Sequence, residues 1–235
     1  MIKKSVDKLI DKYVSDKELK PYYFKISICS VTFLISLISF VSLYILLYFN
    51  SLNEFDEQVS SAFVSLRSPF GTKIMKFISE AGDALGYLFI VFLTTMILFF
   101  KKVWKLALQG VLILILASGL NILLKGFVAR PRPFEDSLVY ASFYSFPSGH
   151  AMSAMVFYGF LIHIVFSLEI KPFLKYLFTL IFVFISFIIG LSRIYLGVHY
   201  ASDILGGYFA GLIWLMFCLM VIYSLKIRTI NTNKT

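Results

Sequence analysis

Charge is what this chain has least of. Only 15% of its 235 residues are Asp, Glu, Lys or Arg, where soluble domains carry about 25%. That scarcity argues against an intrinsically disordered chain, which relies on charge to stay solvated. It argues equally against a nucleic-acid-binding domain, despite a formal net charge of +9. Cysteine is nearly missing too. Cys29 and Cys218 are the two present, each inside a long apolar run. No disulfide scaffold can be built from them, and they show no metal-ligand spacing. Both read as small apolar packing residues. No Gly-Lys-Ser/Thr phosphate loop and no His-Glu-x-x-His helix occurs, which removes the nucleoside-triphosphatase and zinc-peptidase readings. Neither cysteine is followed by an arginine at the spacing of a cysteine phosphatase.

Apolar residues fill the space that charge leaves. They make up 59% of the chain, with 26 Phe and 14 Tyr and a mean hydropathy of +0.85. A soluble fold of this length has no core large enough to hide them. The expected class is an all-α, polytopic membrane protein with six transmembrane helices and short interfacial helices. The six spans are predicted at residues 26–49, 84–100, 106–124, 151–168, 176–191 and 204–225, against a need of about 17–25 apolar residues per span. The first run is too long for the apolar part of a signal peptide, and no small-x-small cleavage site follows it, so it is expected to be a retained span.

The basic residues set the orientation. With the N-terminus cytoplasmic, the inner segments hold fifteen Lys and Arg and the outer segments seven, which favours both termini inside. Residues 1–25 are expected to form a cytoplasmic segment, residues 26–225 the six-span domain and residues 226–235 a cytoplasmic tail. Ile2, Val6, Leu9, Ile10, Tyr13 and Val14 recur at helical spacing among lysines, as in a helix lying on an anionic leaflet. A simple topology-setting tail explains the same residues equally well. Residues 50–83, broken by Pro69, Gly71 and Gly82, read as short interfacial helices on the outer face.

Three polar clusters interrupt the apolar pattern, and this topology puts all three on the outer face. Lys125 precedes Arg130-Pro131-Arg132-Pro133 near the end of the third span. Pro147-Ser148-Gly149-His150 opens the fourth. Ser192-Arg193, His199 and Asp203 lie between the fifth and the sixth. Charges at this depth are costly and usually functional. Arginine pairs bidentately with phosphate oxygens, and lysine acts as a point charge. Ser148 and Gly149 start a helix, where free N–H groups attract an anion and a glycine lets it come close. Lys125, Arg132, Arg193, Ser148 and Gly149 therefore read as a phosphate cradle. His199 and Asp203 are four apart and share a helix face. A carboxylate on one ring nitrogen fixes the tautomer and leaves the other nitrogen free to attack. His150, from another span, is placed to protonate a leaving oxygen. Three cations facing the equatorial oxygens supply the charge that a metal would otherwise bring, so no metal and no cofactor are expected.

Lys125-x6-Arg132-Pro133, Pro147-Ser148-Gly149-His150 and Ser192-Arg193-x5-His199-x3-Asp203 together resemble the three-part signature of the type 2 phosphatidic acid phosphatase family. That family joins membrane lipid phosphatases with soluble vanadium haloperoxidases. The resemblance implies a nucleophilic His199 oriented by Asp203, a general acid His150, and phosphate held by Lys125, Arg132, Ser148, Gly149 and Arg193. It implies a phosphohistidine intermediate and a phosphorylated lipid as substrate, with undecaprenyl diphosphate or phosphatidylglycerol phosphate favoured. The 1-phosphate of lipid A and transfer of the phosphate to a second lipid are the alternatives. The partners expected are the lipid and the bilayer, with no nucleic acid; oligomeric state is not legible.

Other polar residues receive plainer readings. His163 and Asn121 are expected to be buried hydrogen bonders, and Gly206, Gly207 and Gly211 to allow close helix packing. Arg130 reads as an ordinary interfacial arginine. Glu80 and Asp83 read as a loop residue and a cap, and Glu135 and Asp136 as a solvated loop.

Overall fold

The computed structural model describes residues 16–100, 102–133 and 137–233. Within them the chain is all helix: α1 Lys20–Tyr48, α2 Asn53–Ser65, α3 Pro69–Ala81, α4 Ala84–Phe100, α5 Trp104–Val128, α6 Gly149–Ser167, α7 Pro172–Tyr195 and α8 Ala201–Thr232. Five of these, α1 and α5 to α8, are long and apolar enough to cross a bilayer singly. Helix α4, expected as a span over residues 84–100, reaches that criterion only together with α3: Pro69–Ala81 and Leu85–Phe100 pass it as a pair with a bend of 55° between them, the geometry of a broken span or of a re-entrant segment. Alone, α4 is at the short end for a bilayer.

Local chemistry sets several of the ends. Proline stands in the first turn of α1, α3 and α7, where its missing N–H costs nothing. Ser68 caps α3 by accepting the Gly71 N–H at 3.1 Å, and Ser148 caps α6 toward Ala151. Ala129 stops α5 in the left-handed region at φ 51°, its N–H returning to the Lys125 carbonyl at 2.9 Å. Gly197, at φ 76°, breaks the chain after α7, a conformation that suits glycine best. Helix α8 runs on to Thr232, so residues 226–232 continue the last helix. The predicted amphipathic pattern at residues 2–14 lies outside the described residues.

Helix α6 is the axle of the bundle. It packs on α5, α7 and α8, and α1 packs along α8. Over half of the apolar window of α6 is buried (56%), against 11% for α1. The outer helices therefore turn apolar side chains such as Leu34, Ile38, Leu116, Leu123, Leu180 and Phe184 outward, as lipid-facing surfaces require. Glycines let α8 approach α6. A Cβ on Gly207 would lie 2.6 Å from the Ser148 carbonyl, and one on Gly211 would lie 2.9 Å from that of Met152. His163 meets the Tyr223 hydroxyl on α8 at 3.0 Å, an interhelical bond, and the buried Asn121 donates to the Pro147 carbonyl in the loop before α6 at 3.3 Å. Cys29 and Cys218 are free.

Candidate active site

The C-terminal ends of α5 and α7 and the N-terminal ends of α6 and α8 meet at one end of the bundle. The Ser148 N–H donates to the Asp203 carbonyl at 3.0 Å, which ties the start of α6 to the start of α8. This bond brings the Pro147-Ser148-Gly149-His150 cluster against the His199–Asp203 cluster. The Ser145 N–H donates to the Arg130 carbonyl at 2.8 Å and the Leu138 N–H to the Leu196 carbonyl at 3.0 Å, so the α5–α6 loop folds over the same end.

Asp203 is fully buried, and both oxygens of its carboxylate are engaged. His199 Nδ1 lies 3.3 Å from Oδ2, which also accepts the Tyr200 N–H at 2.9 Å. The Asp203 contact selects the Nδ1–H tautomer and leaves the lone pair of Nε2 free. The only protein atom hydrogen-bonded to Nε2 among the described residues is Arg132 Nη1, at 3.4 Å. Burial pushes the His199 imidazole down to about 3, although Asp203 pulls the other way, so the ring is neutral at ordinary pH.

The three expected cations converge on this point. Lys125, from the last turn of α5, donates to the Tyr144 carbonyl at 2.5 Å. Arg132 donates to the carbonyls of Ser142, Phe143 and Val198 at 2.8, 2.9 and 2.6 Å. Both side chains are close enough for their charges to act on His199. Arg193 lies in the last turn of α7 and reaches Ser79 on α3. Its Nε is buried with no hydrogen-bond partner among the described residues, which is the condition of a donor made for an anion. Ser148 is fully buried, and a Cβ on Gly149 would lie 3.0 Å from Asn121 Oδ1. No cluster of three or more His, Cys, Asp or Glu suited to a metal occurs among the described residues.

Two residues read plainly from the sequence turn out differently. Arg130 is no ordinary interfacial arginine. Its Nη1 donates to Asp203 Oδ1 at 2.7 Å and to Ser202 Oγ at 2.8 Å, and its Nη2 donates to Asp56 Oδ2 at 2.8 Å. Burial alone would weaken its hold on its proton, but Asp203 and Asp56 outweigh it and raise the guanidinium above its usual value. Its ring contact with Tyr200, at 4.1 Å, adds a cation–π attraction. The other is Asp83, at the bend between α3 and α4. Its Oδ1 lies 2.8 Å from His150 Nε2, a contact without the alignment of a hydrogen bond that is an ion pair only when the imidazole is protonated. A spacing rule could find neither, since Arg130 and Asp56 are 74 residues apart. Glu135 and Asp136 lie outside the described residues.

A helical bundle that gathers a buried His–Asp pair, a second histidine and three cations at one end of its membrane spans is built for phosphoryl chemistry at a bilayer surface. Residues 106–226 match the PAP2 superfamily, and the chain belongs to that family. It is 34% identical over 186 residues to phosphatidylglycerophosphatase B of Bacillus subtilis, which covers 76% of this chain and 88% of the relative. Its fold is similar to the crystal structure described as the first transmembrane PAP2-type phosphatidylglycerolphosphate phosphatase, from Bacillus subtilis. The TM-score is 0.75 at 30% identity, over 83% of this chain and 97% of that one. The crystal structure of Aquifex aeolicus LpxE is similar at a TM-score of 0.57 and 26% identity, over 70% of this chain and 94% of that one.

Proposed function

We propose that the protein is an integral membrane phosphatase that removes a phosphate from a lipid through a phosphohistidine. The observation that carries this reading is the placement of His199: Nδ1 on Asp203, and an unprotonated Nε2 whose lone pair accepts a long contact from Arg132, one of the phosphate cations. Simple binding of a phosphate needs no oriented nucleophile. Nε2 attacks phosphorus, the N–P bond forms and the bond from phosphorus to the lipid oxygen breaks. His150 gives its proton to that oxygen. Water then attacks the phosphohistidine, His150 takes its proton, and inorganic phosphate and His199 are released. Lys125, Arg132, Arg193 and the N–H groups at the start of α6 meet the charge on the equatorial oxygens throughout. That supply of charge supports a reaction without a metal.

Phosphatidylglycerol phosphate is the substrate we assign first, because a relative 34% identical and a solved structure of similar fold carry that activity in their names. The active end faces the outer side in this reading, from the lysine and arginine distribution. Phosphate release from purified phosphatidylglycerol phosphate, phosphatidic acid and undecaprenyl diphosphate, each in detergent micelles with excess chelator, tests it. Phosphatidylglycerol phosphate is expected to turn over fastest, with vanadate inhibiting as a mimic of the five-coordinate transition state. Faster turnover of undecaprenyl diphosphate would overturn the substrate, and activity only on adding a divalent metal would overturn the mechanism.

A further inference from the structure

We propose that Asp56 and Arg130 are positioning residues for the nucleophile: they hold the Asp203 carboxylate turned toward His199. The proposal rests on His199 being the nucleophile. Four side chains close a ring around this function. Arg130 bridges Asp56 and Asp203 through its two terminal nitrogens. Asp56 Oδ1 accepts the Ser202 N–H at 2.9 Å and its Oδ2 meets the Ser202 hydroxyl. Ser202 is the neighbour of Asp203 in the chain, so the ring closes through the backbone. Its members come from α2, from the α5–α6 loop and from the first turn of α8.

A carboxylate on a flexible torsion does not choose which oxygen faces a histidine. Here Oδ1 is pinned by Arg130, so Oδ2 is the one left for His199. The planar fork of arginine suits this task, since it fixes direction as well as charge. Arg130 differs from the three phosphate cations in that its charge is already paired with two carboxylates, Asp56 and Asp203, whereas Arg132 meets backbone carbonyls. Arg130 borders a cavity of about 450 Å³, shared with Tyr44, Tyr48, Asn50, Asn53 and Tyr200. A structural staple would have the same contacts, so the test must separate holding the fold from aiming the carboxylate.

Removing Arg130 alone would leave Asp56 and Asp203, both buried, short of a counter-charge. The variant to make is therefore Arg130→Gln with Asp56→Asn, which deletes one charge of each sign. Phosphatidylglycerol phosphate and phosphatidic acid in detergent micelles are the probes, and kcat and KM are measured together with the thermal unfolding midpoint. The pair of changes is expected to lower kcat about 10- to 100-fold, the usual effect of losing a partner that orients a functional side chain, while KM stays within about twofold. In an Asp203→Asn background the same pair is expected to lower kcat by less than about twofold, since residues acting through one group are not additive. Equal losses in both backgrounds, or parental kcat in the first, would overturn the proposal. Arg130→Lys is the milder variant, should the pair not fold. It keeps the charge but not the fork, and is expected to lose kcat at unchanged KM; parental kcat there also overturns the proposal. His199→Ala is the control for the underlying reading. If it still hydrolyses lipid phosphate, the nucleophile is wrong. If it is dead while the Arg130 variants are parental, only the positioning role falls.

Discussion

His199 combines a neutral ring, a fixed tautomer and one unprotonated nitrogen, which is what an attacking imidazole needs. Its replacement by alanine is expected to lower hydrolysis by about 10⁴-fold or more, on the scale of other covalent catalysts that lose their nucleophile. Phosphate binding should survive, because Lys125, Arg132 and Arg193 are untouched. Loss of both, measured by phosphate release and by titration with inorganic phosphate, would mean that the variant had lost its fold. The same residue also marks stability. The folded protein keeps His199 neutral down to about 3, whereas an unfolded chain protonates a histidine near pH 6.5. The unfolded state thus binds more protons in that window, and stability falls as pH drops from about 6.5 toward 3. Unfolding midpoints at neutral and at mildly acid pH should show this fall, and His199→Gln should make it shallower. At this scale the sequence was readable wherever a residue belonged to a spaced motif. Lys125, Arg132, Ser148, His199 and Asp203 all lie at one end of the bundle. Arg130 and Asp83 escaped because their partners, Asp56 and His150, come from distant segments with no shared spacing.

Between elements, contact is limited by how closely backbones approach. Gly207 sits where α8 crosses the start of α6, and the atoms nearest to an added Cβ are the Ser148 carbonyl and the Ala151 Cβ, at 2.6 and 2.8 Å. Backbone cannot move aside as a side-chain tip can. Gly207→Val is therefore expected to destabilise the protein by about 1–3 kcal/mol, the usual cost of overpacking, read as a lower unfolding midpoint. It should also reduce activity, since Ser148 is part of the crossing. A different junction holds α3 to the end of α7. The Tyr195 hydroxyl accepts the Ser68 N–H at 3.0 Å. Tyr195→Phe should cost about 0.5–1.5 kcal/mol, the net worth of one such bond, with little change in KM. The existence of the helices was legible from hydropathy, but their ends were not. Helix α8 continues past the apolar stretch to Thr232 because nothing stops it. Helix α3 carries Lys73, Lys76 and Glu80 and reads as a surface helix when taken alone; only its pairing with α4 across the bend at Gly82 and Asp83 reaches the length and hydropathy of a span.

For the whole molecule, the topology argument makes one demand. Tyr140, 92% exposed in the α5–α6 loop, should face the outer side. With Cys29 and Cys218 replaced by alanine, Tyr140→Cys is expected to react with a membrane-impermeant thiol reagent added to intact cells. Reaction only after the membrane is opened would reverse the orientation. The cradle is also assembled in order along the chain. Lys125 and Arg132 come first, then Ser148 and His150, then Arg193, and the carboxylate that orients His199 comes from the first turn of the last helix. During synthesis and insertion, a partly made chain would thus present a set of phosphate-binding groups before it had a competent nucleophile. Catalysis would switch on only when α8 enters the bundle and docks against α6 and α1, so each molecule would complete its biogenesis before it could act on the membrane that receives it.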